Sequence, residues 1–182
     1  DGSWKASIPA QKAGGPFSLK INGATNSILI NNILVGDVWI CSGQSNMEWH
    51  VQDVNNAAAE IAAANYPRIR QITIRKTVAG QPLSDLKGST GWISATPGHV
   101  AEFTAVGYFF ARDLYRDLDV PIGLIHTSWG GTHVETWTSR AAFQQDPAFR
   151  EMINGVPALN LDSLNSIQLD KVKQKLTALQ NG

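Results

Sequence analysis

The segment Gly36-Asp37-Val38-Trp39-Ile40-Cys41-Ser42-Gly43-Gln44-Ser45-Asn46-Met47 constrains the fold of this chain more than any other. Val38 to Cys41 is a short apolar run of the kind that sits in a parallel sheet covered on both faces. Gly43 breaks the run, and a serine hydroxyl follows at Ser45. In open α/β sheets, ligands bind in the crevice beyond the carboxyl ends of the strands, which puts Ser45 at the mouth of such a crevice. If Met47 to Val51 opens a helix, the unpaired N–H groups of its first turn point to the same place, where they stabilise developing negative charge. The block is not a Gly-x-Ser-x-Gly elbow, because Asn46-Met47 replaces its second half, but the strand, turn and helix logic is shared. Ser45 and Glu48 also have the spacing of a capping box, which needs no chemistry.

The same strand-then-loop pattern recurs at Val120-Pro121-Ile122-Gly123-Leu124-Ile125-His126-Thr127-Ser128-Trp129-Gly130-Gly131-Thr132. Pro121 launches an apolar strand over Ile122 to Ile125, and the paired glycines allow positive φ and a close approach of backbone to a ligand. A loop of this kind can supply an oxyanion donor, although two glycines alone are more often just a flexible turn.

The rest of the chain supplies the frame. Phe17 to Ile21 and Ser27 to Ile30 read as a hairpin with Asn22-Gly23 as its two-residue turn, and such a ribbon needs a partner sheet. From Gly36 onward strands alternate with helices, which argues for βαβ units and a parallel sheet. Asp53 is placed to cap an Ala-rich helix from Val54 to Ala64, and Ile69, Ile72 and Ile74 mark a second strand. Residues 77 to 101 read as one long Gly/Pro/Ser/Thr-rich loop containing Trp92 and His99. Phe103, Val106, Phe110, Leu114 and Leu118 recur at helical spacing ahead of the strand at Ile122. Only about three parallel strands are countable, so one of them is expected to be an open edge. From Ala141 the chain is polar, with Leu161, Leu164, Leu169, Val172, Leu176 and Leu179 spaced for one or two surface helices.

Composition excludes some classes. With 15 basic and 15 acidic residues and no run of like charge, the chain has no nucleic-acid footprint. No apolar stretch is long enough to span a bilayer. Cys41 is the single cysteine, so no intrachain disulfide forms, and its apolar setting reads as a small buried hydrophobe. No His, Cys, Asp or Glu cluster has zinc-ligand spacing, and no metal or cofactor is expected.

The two blocks resemble the sialate O-acetylesterase family, a branch of the SGNH hydrolases. Gly-Asp-Val-Trp-Ile-Cys-Ser-Gly-Gln-Ser-Asn-Met is similar to that family's nucleophile block. The second block matches its Pro-Ile-Gly-Leu-Ile and Ser-Trp-Gly-Gly-Thr runs and continues as Glu135-Thr136-Trp137. Trp4, Ala13 to Pro16 and Phe17 to Leu19 match its β-sandwich segment. The resemblance implies an α/β fold with a flavodoxin-like, three-layer parallel sheet. Residues 1–35 would be the tail of the β-sandwich segment, 36–140 the first half of the hydrolase domain and 141–182 a truncated helical insertion or linker. It implies Ser45 as nucleophile, Gly131 as backbone oxyanion donor together with Ser45 N–H, and Gln44, Asn46 and Trp129 as residues that contact substrate. The partner it implies is an acetylated carbohydrate, sialic acid or a plant polysaccharide, met in a secreted, periplasmic or lysosomal setting without nucleic acid or membrane. Trp49, Trp129 and Trp137 lie near the two blocks and offer flat rings to sugar faces, although such a tryptophan is more often core packing.

A serine hydroxyl is a poor nucleophile without an adjacent base. The family takes its base and orienting acid from an Asp-x-x-His block, and neither this block nor the family's Gln-Gly-Glu-Ser-Asn block occurs in residues 1–182. The four histidines do not obviously replace it. His50, five residues after Ser45, would be rotated about 140° away on one helix, at about 100° per residue. His99 lies in the long loop, and His133 follows the glycines toward substrate or solvent. His126, at a strand end, is the best internal candidate, yet a strand-end histidine is more often structural. The expectation is therefore an O-acetylesterase whose catalytic His and Asp come from a further segment or a second polypeptide. The alternative is a non-catalytic carbohydrate-binding or scaffold fragment.

Overall fold

The apolar runs separated by Gly- and Pro-marked breaks become short strands, and the stretches between them become helices laid on the sheet. The computed structural model describes residues 4–79, 83–155 and 161–180, with side chains described except at 161–165 and 179–180. The chain divides into two compact units, Asp1–Arg75 with Gly88–Gly131, and Lys76–Lys87 with Thr132–Gly182.

In the first unit, β1 (Gly14–Asn22) and β2 (Ser27–Val35) form an antiparallel hairpin. Asn22 pairs with Ser27 and Gly23 N–H donates to Asn26 O at 2.8 Å, so the connection is the four residues 23–26 rather than an Asn22-Gly23 turn. Then come β3 (Asp37–Cys41), α1 (Ser45–Glu48), α2 (Ala57–Ala63), β4 (Tyr66–Thr73), β5 (Ile93–Ala95), α3 (Ala105–Leu118) and β6 (Ile122–His126). The strands form one mixed α/β sheet in the order β3-β6-β4-β5, with β6 parallel to both β3 and β4 and β5 antiparallel to β4.

This order places β3 at an edge. Val38 and Ile40 are 59% and 69% exposed, and only Cys41 is buried. The expectation of a strand covered on both faces fails for β3 because it stands at the edge of the described sheet, where Val38 lines a cavity shared with β2 residues instead of a packed layer. The other face is covered by α3, where Trp39 meets the Phe110 ring edge-on with centroids 4.9 Å apart. A Cβ on Gly107 would lie 2.8 Å from Cys41 Sγ and 2.7 Å from Thr104 Cγ2. The helix therefore seats directly on the end of β3, and its buried face is Ala105, Gly107, Tyr108 and Ala111. Val106, Phe110 and Leu118 of the expected apolar stripe remain largely exposed. Phe103 and Leu114 of that stripe do join the core, while Ala105, Gly107 and Ala111 let the helix approach the sheet closely beside the buried Tyr108 ring.

Three other expectations are corrected. The helix after Ser45 is α1, which begins at Ser45 and ends at Glu48 rather than covering Met47 to Val51. Beyond it the chain is drawn into an extended pairing: Ala105 N–H donates to Trp49 O at 2.8 Å and Val51 N–H to Phe103 O at 3.0 Å. Asp53 does not cap α2. Asn56, in the left-handed conformation, precedes that helix, and the Asp53 carboxylate lies 3.8 Å from His50 Nδ1. The long loop over 77 to 101 contains β5, whose Ile93 pairs with Gln71 of β4; residues 80–82 of it lie outside the described residues.

The core joins Val51, Ala64, Ile69, Val100, Phe103, Tyr108, Ala111, Ile122 and Leu124. Arg112, on α3, pairs with Glu60 of α2 at 2.7 Å. In the second unit α4 (Arg140–Gln145), capped by Ser139 Oγ, packs on α5 (Pro147–Gly155) through Phe143 and Phe149. α6 (Leu161–Gln180) follows, a third helix where one or two were expected, with Leu169, Val172 and Leu176 exposed. The side chains of Leu161, Leu164 and Leu179 lie outside the described residues.

Thr104 ties the turn after β3 to this core. Fully buried, it donates from Oγ1 to Met47 O at 2.6 Å and from its backbone N–H to Gln71 Oε1 at 3.0 Å. Thr104→Val keeps the shape and leaves Met47 O without its donor, which should cost about 1–3 kcal/mol. Urea denaturation measures this directly, and an unchanged midpoint would show that the Thr104 hydroxyl does not anchor α1.

Candidate active site

Two loops meet at the carboxyl ends of β3 and β6. The first leaves β3 at Cys41, turns at Gly43 in a positive-φ conformation (φ +130°) and enters α1. Gln44 precedes the helix and makes no side-chain cap. Ser45 is its first residue, and Gln44, Ser45 and Asn46 are all exposed. The amide of Ser45 is one of the first-turn N–H groups for which a helix offers no partner.

The second loop continues the β3–β6 pairing past the ends of both strands. Thr127 N–H donates to Cys41 O at 3.0 Å, and Trp129 N–H donates to Gly43 O at 2.8 Å. The next amide, Gly130 N–H, donates to the Glu48 carboxylate. Ser45 is the first helical residue and Gln44 the N-cap, so Ser45 does not serve as the capping residue of a capping box with Glu48. The Glu48 side chain crosses to the other loop, since residues three apart on one turn project to the same side.

The two loops lie close together. A Cβ on Gly130 would stand 2.6 Å from Glu48 Oε2 and 3.5 Å from Ser45 Oγ. Gly131 has φ +77°, and a Cβ there would meet nothing within 4 Å, so it faces open space. The amide of Gly130 is already engaged by a carboxylate, which leaves Gly131 N–H as the next backbone donor along this loop. Trp129 is half-buried and Trp49 is 55% exposed. Trp137 belongs to the second unit, where its Nε1 donates to Thr132 Oγ1 at 2.8 Å.

The histidines are placed as follows. His126 is buried, and its Nε2 lies 2.5 Å from Ser128 Oγ. His50 is not on a helix with Ser45. It pairs with Thr104 in an isolated bridge, with its ring edge-on to His126 at 6.4 Å, so the helical rotation that argued against it does not apply. His99 Nδ1 lies 3.1 Å from Thr96 Oγ1. His133 is exposed, in the second unit. The polar neighbours seen for His50, His99 and His126 are thus Asp53, Thr96 and Ser128. Burial pushes the Cys41 thiol up, which keeps it protonated and unreactive.

Among the described residues no group of three or more His, Cys, Asp or Glu side chains is arranged to hold a metal ion, and no helix is long and apolar enough to cross a membrane. A cavity of about 460 Å³ does exist, but at the opposite end of the sheet, lined by Gly36, Asp37, Pro121 and Ile122 together with Asn32, Arg70 and Trp92. Ser45 is not part of it.

The sequence singles out Ser45 and the glycine loop, and the fold brings the two together. It offered Glu48 only as an alternative capping partner of Ser45, and it gave no sign of the Thr104 anchor. The signal for Glu48 was its position three residues after Ser45, which fits equally well a cap or a side chain reaching another loop.

Residues 35–167 match the family described as "Carbohydrate esterase, sialic acid-specific acetylesterase". The chain is 38% identical over 153 residues to a sialate O-acetylesterase of Rattus norvegicus, covering 78% of this chain and 28% of that protein. It is 36% identical over 148 residues to that of Homo sapiens, again covering 28% of the relative. The crystal structure of a carbohydrate acetylesterase from Xanthomonas citri superposes with a TM-score of 0.74 at 40% identity, over 79% of this chain and 33% of the other. The chain thus spans about 28% of the length of the curated relatives it matches. On this match and on the α/β architecture it shares with the solved acetylesterase, the chain belongs to the sialic acid-specific acetylesterase family of carbohydrate esterases.

Proposed function

We propose that this chain carries the nucleophile and part of the oxyanion site of a carbohydrate O-acetylesterase. The observation that carries the proposal is an exposed serine at the first residue of a helix, held beside a glycine loop whose Gly130 Cβ position lies 3.5 Å from Ser45 Oγ. Ser45 Oγ attacks the acetyl carbonyl and gives its proton to a base. The tetrahedral oxyanion is held by Ser45 N–H and Gly131 N–H, and its collapse breaks the bond to the sugar oxygen, which takes the proton from the base and leaves as a hydroxyl. Water then hydrolyses the acetyl-serine by the reverse roles. Gln44, Asn46 and Trp129 border this position and bind the sugar, a sialic acid or an acetylated polysaccharide met in a secreted, periplasmic or lysosomal setting.

The base comes from outside residues 1–182, from a further segment or a second polypeptide that also pairs with the open edge of β3. Two observations support this: the polar neighbours seen for His50, His99 and His126 are Asp53, Thr96 and Ser128 rather than Ser45, and Val38 and Ile40 are exposed on an edge strand. The first of these also favours a second reading, a non-catalytic carbohydrate-binding or scaffold piece.

Three outcomes are expected. In the assembled enzyme, Ser45→Ala abolishes hydrolysis of p-nitrophenyl acetate, and an organophosphonate probe labels Ser45 by mass spectrometry; retained turnover or labelling elsewhere would refute the assignment. Gly131→Ala places a side chain in a left-handed backbone and disturbs one oxyanion donor, lowering turnover about 100- to 1,000-fold, while the melting temperature changes little. Normal turnover in that variant would leave Gly131 as a turn residue. Residues 1–182 alone hydrolyse no ester, whereas the assembled enzyme brings a histidine nitrogen to within roughly 2.6–3.2 Å of Ser45 Oγ. Full activity of the isolated chain would instead implicate an internal base, His126 or His50.

A further inference from the structure

We infer that Glu48 is a positioning residue: its carboxylate clamps the Gly130 amide and so holds the Gly131 N–H in register with Ser45. The inference rests on the reading of Ser45 as nucleophile and of Gly131 as oxyanion donor.

The geometry behind it is a succession of anchors along one loop. Thr127 N–H is fixed on Cys41 O, Trp129 N–H on Gly43 O and Gly130 N–H on the Glu48 carboxylate. The first two acceptors are backbone carbonyls of the β3 edge, which any sequence provides. The third is a side chain, and it binds the last amide before Gly131. Two consecutive glycines have the widest backbone freedom of any dipeptide, so without this third anchor the Gly131 amide would sample several directions. A hydrogen bond to a carboxylate is among the stronger ones a neutral amide can make.

Glu48 also belongs to α1, three residues after Ser45. The same short helix therefore carries the nucleophile and grips the loop that offers the oxyanion donor. Any movement of α1 moves both together. Gly130 is required by the same contact, because a Cβ would fall 2.6 Å from Glu48 Oε2. The opposing electrostatic effect limits what the carboxylate can be doing. A negative charge this near the reaction centre disfavours an oxyanion, so its benefit lies in geometry, and a neutral acceptor of equal reach should serve as well.

That distinction gives the test. In the assembled enzyme, Glu48→Gln keeps an acceptor oxygen at the same reach and should hold kcat within about threefold of the parent, while Glu48→Ala lowers kcat about 10- to 100-fold with KM nearly unchanged, as expected for displacement of a catalytic donor by a fraction of an ångström to an ångström. Glu48→Asp keeps the charge but shortens the reach and should resemble Ala. Hydrogen exchange across residues 127–131 reads the clamp independently of activity: it should accelerate in the Asp and Ala variants and stay slow in Gln. If Ala fails to fold, the Asp and Gln pair still decides. An active Asp variant beside an inactive Gln variant, or unchanged exchange in Asp, overturns the clamp while leaving Ser45 in place. A parent enzyme whose esterase activity survives Ser45→Ala overturns both this inference and the reading beneath it.

Discussion

The pairing of β3 with β6 is what everything at the candidate site depends on. Parallel strands have no turn to join them, so their register is set by packing and by the crossover that returns the chain to the sheet. Here Cys41 lies opposite His126, and the pairing does not stop where the strands do. The Thr127 and Trp129 amides go on bonding to the Cys41 and Gly43 carbonyls. Two loops separated by about eighty residues in sequence are thereby held as if they were one. A slip of one residue would turn the faces of β6 over and carry the glycines away from the serine.

Helix α3 fixes where this paired end sits. Gly107 permits its approach to Cys41, and the buried hydroxyl of Thr104, just ahead of the helix, holds the Met47 carbonyl. The four-residue α1 is too short to be stable by its own hydrogen bonds. It owes its position to these tertiary contacts and to the extended pairing of residues 49–51 with 103–105. The buried polar groups below the site, Gln71, Thr104, His126 and Ser128, are engaged with one another or with the backbone. Such a network makes the floor of the site rigid, and leaves the exposed residues Gln44, Ser45 and Asn46 on a fixed support.

The open edge of β3 is the counterpart of that rigidity. Val38 and Ile40 point away from α3 into the exposed face, and an unpaired apolar edge is a site for adding another strand. Among the described residues it is the edge of the strand that leads into the turn before Ser45.

The sequence by itself determined the local events: the break at Gly43, the hydroxyl after it, the second strand ending in paired glycines, and the α/β alternation. These are legible because they depend on residue type and on spacings of a few positions. Which face α3 would bury was not legible, because Gly107 and Ala111 carry little apolar signal and win their place only by allowing close approach. The exposure of Val38 and Ile40 was not legible either, since an apolar run looks the same at the edge of a sheet as in its middle. Glu48 shows the limit most plainly. Its sequence neighbour at the right spacing was Ser45, but the amide it binds belongs to Gly130, 82 positions away, and only the folding of β6 against β3 brings that amide within reach.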